Sequence, residues 1–105
     1  MQPLISNTQR DHLSVDCPQW QLMPSRDALQ KTFIFRNFQE AFSCMSEIAV
    51  IAEEINHHPE WFNVWNRLEI TLSTHDSGGL TLKDIQLAQA IDKVCQKNLL
   101  QNQAR

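Results

Sequence analysis

Glycine is nearly missing from this chain: it occurs twice, side by side at Gly78-Gly79, so no flexible glycine-rich linker divides the sequence. Cysteine is also scarce. Cys17, Cys44 and Cys95 are odd in number, far apart and without C-x-x-C spacing, which indicates neither a complete disulfide framework nor a zinc knuckle. They read as reduced thiols, with Cys44 and Cys95 serving as small buried apolar residues. Lys and Arg form no run, and nine basic residues against twelve acidic give a net charge of −3. An electrostatic grip on phosphate backbones or anionic lipid has no visible source, so no direct nucleic-acid partner is expected. Long apolar stretches are missing too, and Met1 to Asp11 carry Gln, Ser, Asn and Thr where a secretory signal needs an apolar core. The expectation is a cytoplasmic protein without a membrane partner.

The 105 residues that remain to be explained fit a single domain spanning residues 1–105. Apolar residues make up 42% and charged residues 20%, ordinary globular usage rather than the signature of disorder. A short helix is predicted from about Asn7 to Val15, ending before Pro18, followed by a strand at Trp20 to Met23 and a turn at Pro24-Ser25-Arg26-Asp27. Leu29 to Arg36 reads as a strand with Leu29, Phe33 and Phe35 on one parity. Asn37, with Glu40 three residues on, resembles a capping box ahead of Phe38, Ala41, Phe42, Met45, Ile48, Ala49, Ala52 and Ile55. Those steps of three and four mark one face of a helix running to about Asn56, since Pro59 pushes His58 toward extended geometry.

Trp61 to Thr74 is rich in aromatic and β-branched residues, with Leu68, Ile70 and Leu72 alternating against polar neighbours. It reads as a hairpin turning at Asn66-Arg67, or else as one long strand. Asp76 to Gly79 is a turn by composition, and Thr81 with Asp84 opens a last helix that directs Leu82, Ile85, Ala88, Ile91, Val94 and Cys95 inward. The order helix, strand, strand, helix, strand, strand, helix gives an α+β two-layer sandwich.

His57, His58 and His75 sit at the ends of predicted elements, where side chains meet clefts; His12 lies apart, on the surface. Glu53 precedes His57 by four residues and would share its helical face, close enough to orient the imidazole. Imidazole titrates near pH 6.5, so any of these rings suits proton transfer near neutrality. Structural explanations stand beside this one. Consecutive histidines before a proline also favour the negative end of a helix, and Asp84 suits the first turn of one. Three histidines can ligate zinc, although no H-x-H or H-x-x-x-H spacing places two on one element. Trp61 and Trp65 can equally be core or interface aromatics.

Taken together, Glu53-Glu54-Ile55-Asn56-His57-His58-Pro59-Glu60-Trp61-Phe62-Asn63-Val64-Trp65-Asn66, continuing through Thr71-Leu72-Ser73-Thr74-His75-Asp76 and Gly79-Leu80-Thr81 to Asp84, resembles the pterin-4a-carbinolamine dehydratases. The likeness extends more loosely from Trp20 to Cys95 and includes the Arg26-Asp27-Ala28 turn. It implies a four-stranded antiparallel sheet with three helices on one face. It also implies a hydro-lyase that dehydrates 4a-hydroxytetrahydropterin (4a-hydroxytetrahydrobiopterin) to quinonoid dihydropterin, recycling the cofactor of aromatic amino-acid hydroxylases. On this resemblance His57, His58 and His75 are the catalytic histidines, acting without a metal and without a cofactor, the pterin being the substrate. Glu53, Asn56, Trp61, Ser73, Thr74 and Asp84 are the binding or supporting positions, with Glu53 holding His57 and Asp84 holding His75. Animal members carry aspartate where this chain has Asn56, which removes a charge beside the histidine pair. The family also implies a homodimer or homotetramer, and an alternative role as a dimerisation module of the transcriptional-coactivator kind.

Overall fold

The computed structural model describes residues 2–96; Met1 and the tail from residue 97 onward, the two ends of the predicted 1–105 domain, lie outside them. The elements are α1 (Asn7–Asp11), α2 (Leu13–Asp16), β1 (Gln21–Leu22), β2 (Leu29–Ile34), α3 (Phe38–Ile55), β3 (Glu60–Val64), β4 (Arg67–Leu72) and α4 (Leu82–Cys95), with a 3-10 turn at His75–Ser77 before α4. The strands form one four-stranded sheet in the order β1-β2-β4-β3, every pairing antiparallel. This is the expected α+β architecture.

Period-two alternation decides which side of the sheet is covered. Leu29 and Phe33 on β2, with Leu68, Ile70 and Leu72 on β4, are fully buried against α3 and α4, while Glu69 and Arg67 stay on the open side. Helix α3 buries Ala41, Cys44, Ile48 and Ala52, spaced three or four apart, and α4 buries Ile85, Leu87, Ala88, Ile91 and Cys95. The apolar stripe read from sequence is wider than the face the sheet can cover. Phe38, Phe42 and Leu82 are about half exposed, Ala49 is exposed, and Leu87 takes the inward place expected of Leu82.

Three further expectations change. The first helix is two short pieces broken at His12, whose amide is shared between the carbonyls of Thr8 and Gln9 before Leu13 turns into the core. The hairpin turns at Trp65-Asn66, one residue earlier than predicted, because Val64 already pairs with Arg67 and Trp65 takes a φ of 49°. Cys44 and Cys95 are not reduced thiols but a disulfide joining α3 to α4, their Cα atoms 5.6 Å apart across the helix contact. Fifty-one residues of sequence separate them, so no local spacing could announce the pair. Cys17 alone is free; it is buried, and burial pushes its thiol up to about 11.

Lys31 shares the inward parity of β2 yet carries a charge. Its ammonium meets Asp92 of α4 at 2.8 Å and lies 4.8 Å from the Phe33 ring centroid, so the cation is neutralised and its stem covered. Trp20 Nε1 donates to the same carboxylate, tying the chain before β1 to α4.

Candidate active site

Helix α3 stops because Asn56 adopts the left-handed conformation, φ 53° and ψ 47°, which asparagine tolerates better than most residues. The His57 amide bonds back to the Ala52 carbonyl at 3.0 Å and the Asn56 amide to that of Glu53 at 3.3 Å, the two hydrogen bonds of a Schellman close. The chain therefore reverses before His57, and the helical spacing that would have paired Glu53 with His57 no longer applies. His58 meets Glu53 instead, its Nε2 hydrogen-bonded to Oε2. Both side chains are more than half exposed, so this pair orients a ring at the surface more than it stabilises the fold.

His57 turns inward. Its Nε2 lies 2.6 Å from Asp84 Oδ1, with the imidazole nearly buried and the carboxylate completely so. The expectation that Asp84 serves His75 and Glu53 serves His57 is thus corrected: Asp84 serves His57, and Glu53 serves His58. An ionised carboxylate only accepts, so opposite an ionised Asp84 the Nε2 donates, and the lone pair of a neutral ring then lies on Nδ1.

Asp84 is fixed from three directions. Its Oδ2 accepts from the Thr74 hydroxyl at 2.8 Å and from the Thr81 amide at 3.0 Å, the latter being the reciprocal half of a capping box at the start of α4. The Thr81 hydroxyl lies 2.7 Å from that of Thr74 and accepts from the Lys83 amide at 3.2 Å. Thr74 spends its one proton on Asp84, so the polar chain runs from Lys83 through Thr81 and Thr74 to the carboxylate. A buried anion with satisfied lone pairs at a helix N-terminus costs far less than an isolated one. Thr74 thereby links the His57 pair to the next residue, His75.

His75 opens the exposed 3-10 turn that follows β4. The nearby Glu60 carboxyl is held below its usual range, first by its bidentate contacts to Arg26 at 2.8 Å and more weakly by His75. The remaining predicted positions divide by element. Trp61 lies on edge strand β3 opposite Ile70 and is 37% exposed, available at the surface rather than lost to the core. Asn56 acts through its backbone as the α3 cap. Ser73 donates its hydroxyl to the Asp27 carbonyl at 2.9 Å, a support for the loop. Among the described residues no three His, Cys, Asp or Glu side chains gather as a metal-binding group.

Sequence reasoning named Arg26, Asp27, Glu60 and Thr81 as turn, motif or helix-start residues and gave none of them a part in the site. The pairing of Thr81 with Asp84 as a capping box did carry a signal for the last of these, whereas the Arg26–Glu60 contact spans 34 positions and had none. A concavity of about 460 Å³ lies elsewhere, along the β1 edge, lined by residues such as Met23, Gln30 and Lys31 and by no histidine.

In sequence and fold the chain is similar to known proteins. Residues 2–94 match the family model described as pterin 4 alpha carbinolamine dehydratase. A Burkholderia vietnamiensis protein, whose name assigns it provisionally to the pterin-4-alpha-carbinolamine dehydratases, is 56% identical over 82 residues, covering 78% of this chain and 80% of that one. A similarly named Burkholderia ambifaria protein is 60% identical over 78 residues, covering 74% of this chain and 76% of its own. The crystal structure of a transcriptional coactivator/pterin dehydratase from Brucella melitensis superposes with a TM-score of 0.83 at 34% identity, over 88% of this chain and 98% of that one. A pterin dehydratase-like RuBisCO assembly factor of the alpha-carboxysome shares the fold alone, with a TM-score of 0.64 at 20% identity over 76% of this chain and 93% of its own. By sequence along nearly its whole described length and by fold, the chain belongs to the pterin-4-alpha-carbinolamine dehydratase family.

Proposed function

We propose that this chain dehydrates 4a-hydroxytetrahydropterin to quinonoid dihydropterin by histidine acid–base catalysis, recycling the pterin cofactor of aromatic amino-acid hydroxylases. The observation that carries the reading is the buried Asp84–His57 pair, locked to Thr74, the residue preceding His75. A fully buried carboxylate that caps α4 and also holds one imidazole's proton in place supports acid–base chemistry, which needs an oriented ring.

The reaction forms the C4a=N5 bond. One group removes the N5 proton while another protonates the departing 4a-hydroxyl, which leaves as water. In our reading His57 and His58 exchange these two roles according to which face of the ring bears the hydroxyl, and His75 binds and polarises the substrate near it. Trp61 lines the pocket. Neither a metal nor a further cofactor is required, because both proton transfers lie within reach of imidazole near neutral pH.

The decisive experiment is turnover of synthetic 4a-hydroxytetrahydropterin followed by stopped-flow absorbance. His57→Ala and His75→Ala should each lower the rate by about 10²-fold or more with the fold intact. Near-normal turnover in both defeats the assignment, and activity that disappears on chelation and returns with zinc defeats its metal-free form.

We also propose a homodimer or homotetramer and a cytoplasmic location. The described residues include no helix long and apolar enough to cross a membrane. Phe62 and Val64, both more than half exposed on edge strand β3, support the assembly, because an unpaired strand edge invites a second chain. The same exposed residues favour the second reading, an interaction module without turnover. Saturable quenching of tryptophan fluorescence by pterin, absent from a pure scaffold, separates the two, and cell fractionation tests the location.

A further inference from the structure

His75 lies in a small loop whose stem is well defined and whose tip is exposed. The Thr74 amide donates to the Gly79 carbonyl at 2.9 Å and the Gly79 amide to that of Thr74 at 3.3 Å, so residues 74 and 79 close the loop around the 3-10 turn. On one side the stem is held by the Thr74 hydroxyl on Asp84. On the other side it rests against Asp27, in the turn between β1 and β2.

We infer that Asp27 is a positioning residue for His75, gripping both flanks of the loop that presents this imidazole. Its backbone carbonyl accepts from the Ser73 hydroxyl at 2.9 Å, ahead of His75, and its carboxylate accepts from the Leu80 amide at 3.1 Å, behind it. Between these points Gly79 presses on the same side chain: a Cβ built there would come within 2.2 Å of Asp27 Oδ2. The carboxylate cannot swing away, because Arg10 holds it with two hydrogen bonds of 2.7 and 2.8 Å. Arg10, first of all, holds the Asp27 carboxyl below the usual range, so the contact is anionic at working pH.

Other restraints on this segment lie nearer the chain terminus or on α4. The Ile5 amide donates to the Leu80 carbonyl at 2.9 Å, which fixes the loop's exit but not Ser73. Asp84 also bridges the two flanks, through the Thr74 hydroxyl and the Thr81 amide, but from the α4 side; Asp27 grips the opposite side at Ser73 and Leu80, and so helps set the height at which the imidazole meets a ligand. A displacement of about 1 Å in a reacting group can cost on the order of 10²-fold in rate.

The catalytic half of this inference rests on the dehydratase reading; the positional half does not. The test compares Asp27→Ala, Asp27→Asn and Gly79→Ala with the unmodified protein, recording histidine ring cross-peaks by NMR, thermal midpoint and kcat. In the variants that fold, the His75 cross-peak should shift or broaden, that of His57 should stay in place because Asp84 holds it, and kcat should fall by about ten- to a hundredfold. Gly79→Ala attacks the contact from the opposite side and keeps the test alive where Asp27→Ala does not fold. An unmoved His75 signal in folded variants overturns the inference, as does equal disturbance of His57 and His75, which would mean general loosening. Absence of turnover in the unmodified protein would defeat the dehydratase reading alone, leaving the NMR comparison to decide the positional claim.

Discussion

Replacing Asp84 with asparagine changes a single side-chain atom and should cost far more activity than stability. The Thr81 amide can only donate, so the new carboxamide must keep its oxygen on that side, where Oδ2 accepts from Thr81 at 3.0 Å and from Thr74 at 2.8 Å. Its NH2 group then faces His57 Nε2, at the position where the carboxylate oxygen lies 2.6 Å away. To avoid opposing two donors the imidazole must accept at Nε2 and move its proton to Nδ1, which removes the lone pair from the ring nitrogen that Asp84 does not engage. A wrong tautomer of this kind costs about 10²- to 10⁴-fold in kcat. Stability should suffer less. A charge-assisted hydrogen bond worth about 1.5–3 kcal/mol becomes a neutral one worth about 1, so roughly 0.5–2 kcal/mol is lost. Asp84→Ala removes the acceptor altogether, leaving the Thr81 amide and His57 without that partner in a buried site, and should cost about 3–5 kcal/mol. Urea denaturation gives both stabilities, stopped-flow absorbance gives kcat, and ¹⁵N chemical shifts report the His57 tautomer. An asparagine variant with kcat within twofold of the parent and an unchanged tautomer refutes the reasoning, and so does an alanine variant no less stable than the asparagine one.

The disulfide makes a chemical count: in denaturant without reductant, one thiol per chain should react, that of Cys17, and three would show that Cys44 and Cys95 are not joined. The Cys44→Ser, Cys95→Ser double variant releases a closure spanning 51 positions and should lose about 4 kcal/mol on the chain-entropy account, read from urea midpoints. Asp27 makes a pH prediction. Its folded pKa is depressed below the ordinary 3.8 by Arg10, so its contribution is present above that value and is lost as pH falls through the lower folded value. The stability gap between parent and Asp27→Asn should therefore narrow below about pH 4; a gap that holds constant down to pH 2 contradicts the ion pair. If edge strand β3 forms a subunit contact, Phe62→Arg should lower the sedimentation coefficient toward that of a monomer while the circular dichroism spectrum stays unchanged.

How far the sequence was readable depends on the range of the interaction concerned. The helix limits followed from local chemistry: Asn37 accepts from the Glu40 amide at 2.8 Å, and Thr81 with Asp84 closes a full capping box. Strand parity placed Leu29, Phe33 and Phe35 inward for the same reason, since alternation is a property of neighbouring residues. Pairings across elements were not readable in this way. The Asp84–His57 contact spans 27 positions and Lys31–Asp92 spans 61, and no periodicity encodes either. Where a local rule was pushed past its element it gave the wrong partner: Glu53 was assigned to His57 by helical spacing, but the helix had already ended at Ile55.

The same residues that end the helices also build the site, and this constrains how the chemistry can be altered. Asn56 reverses the chain so that His57 enters the interior, and Thr81 and Asp84 satisfy the start of α4 while Asp84 accepts a hydrogen bond from the imidazole. A carboxylate at this position is favoured twice, by the unpaired amides of a helix N-terminus and by the histidine it orients. Changing the acid–base pair therefore disturbs a helix terminus, and changing the terminus displaces the pair. His58 and Glu53, exposed and bonded mainly to one another, carry no such double duty. If His57 and His58 do exchange roles with the face of the substrate, the two should differ in mutational tolerance. His58 variants should lose activity on both substrate stereoisomers with the melting temperature unmoved, whereas variants of His57 should lose activity on both and melt at a lower temperature as well.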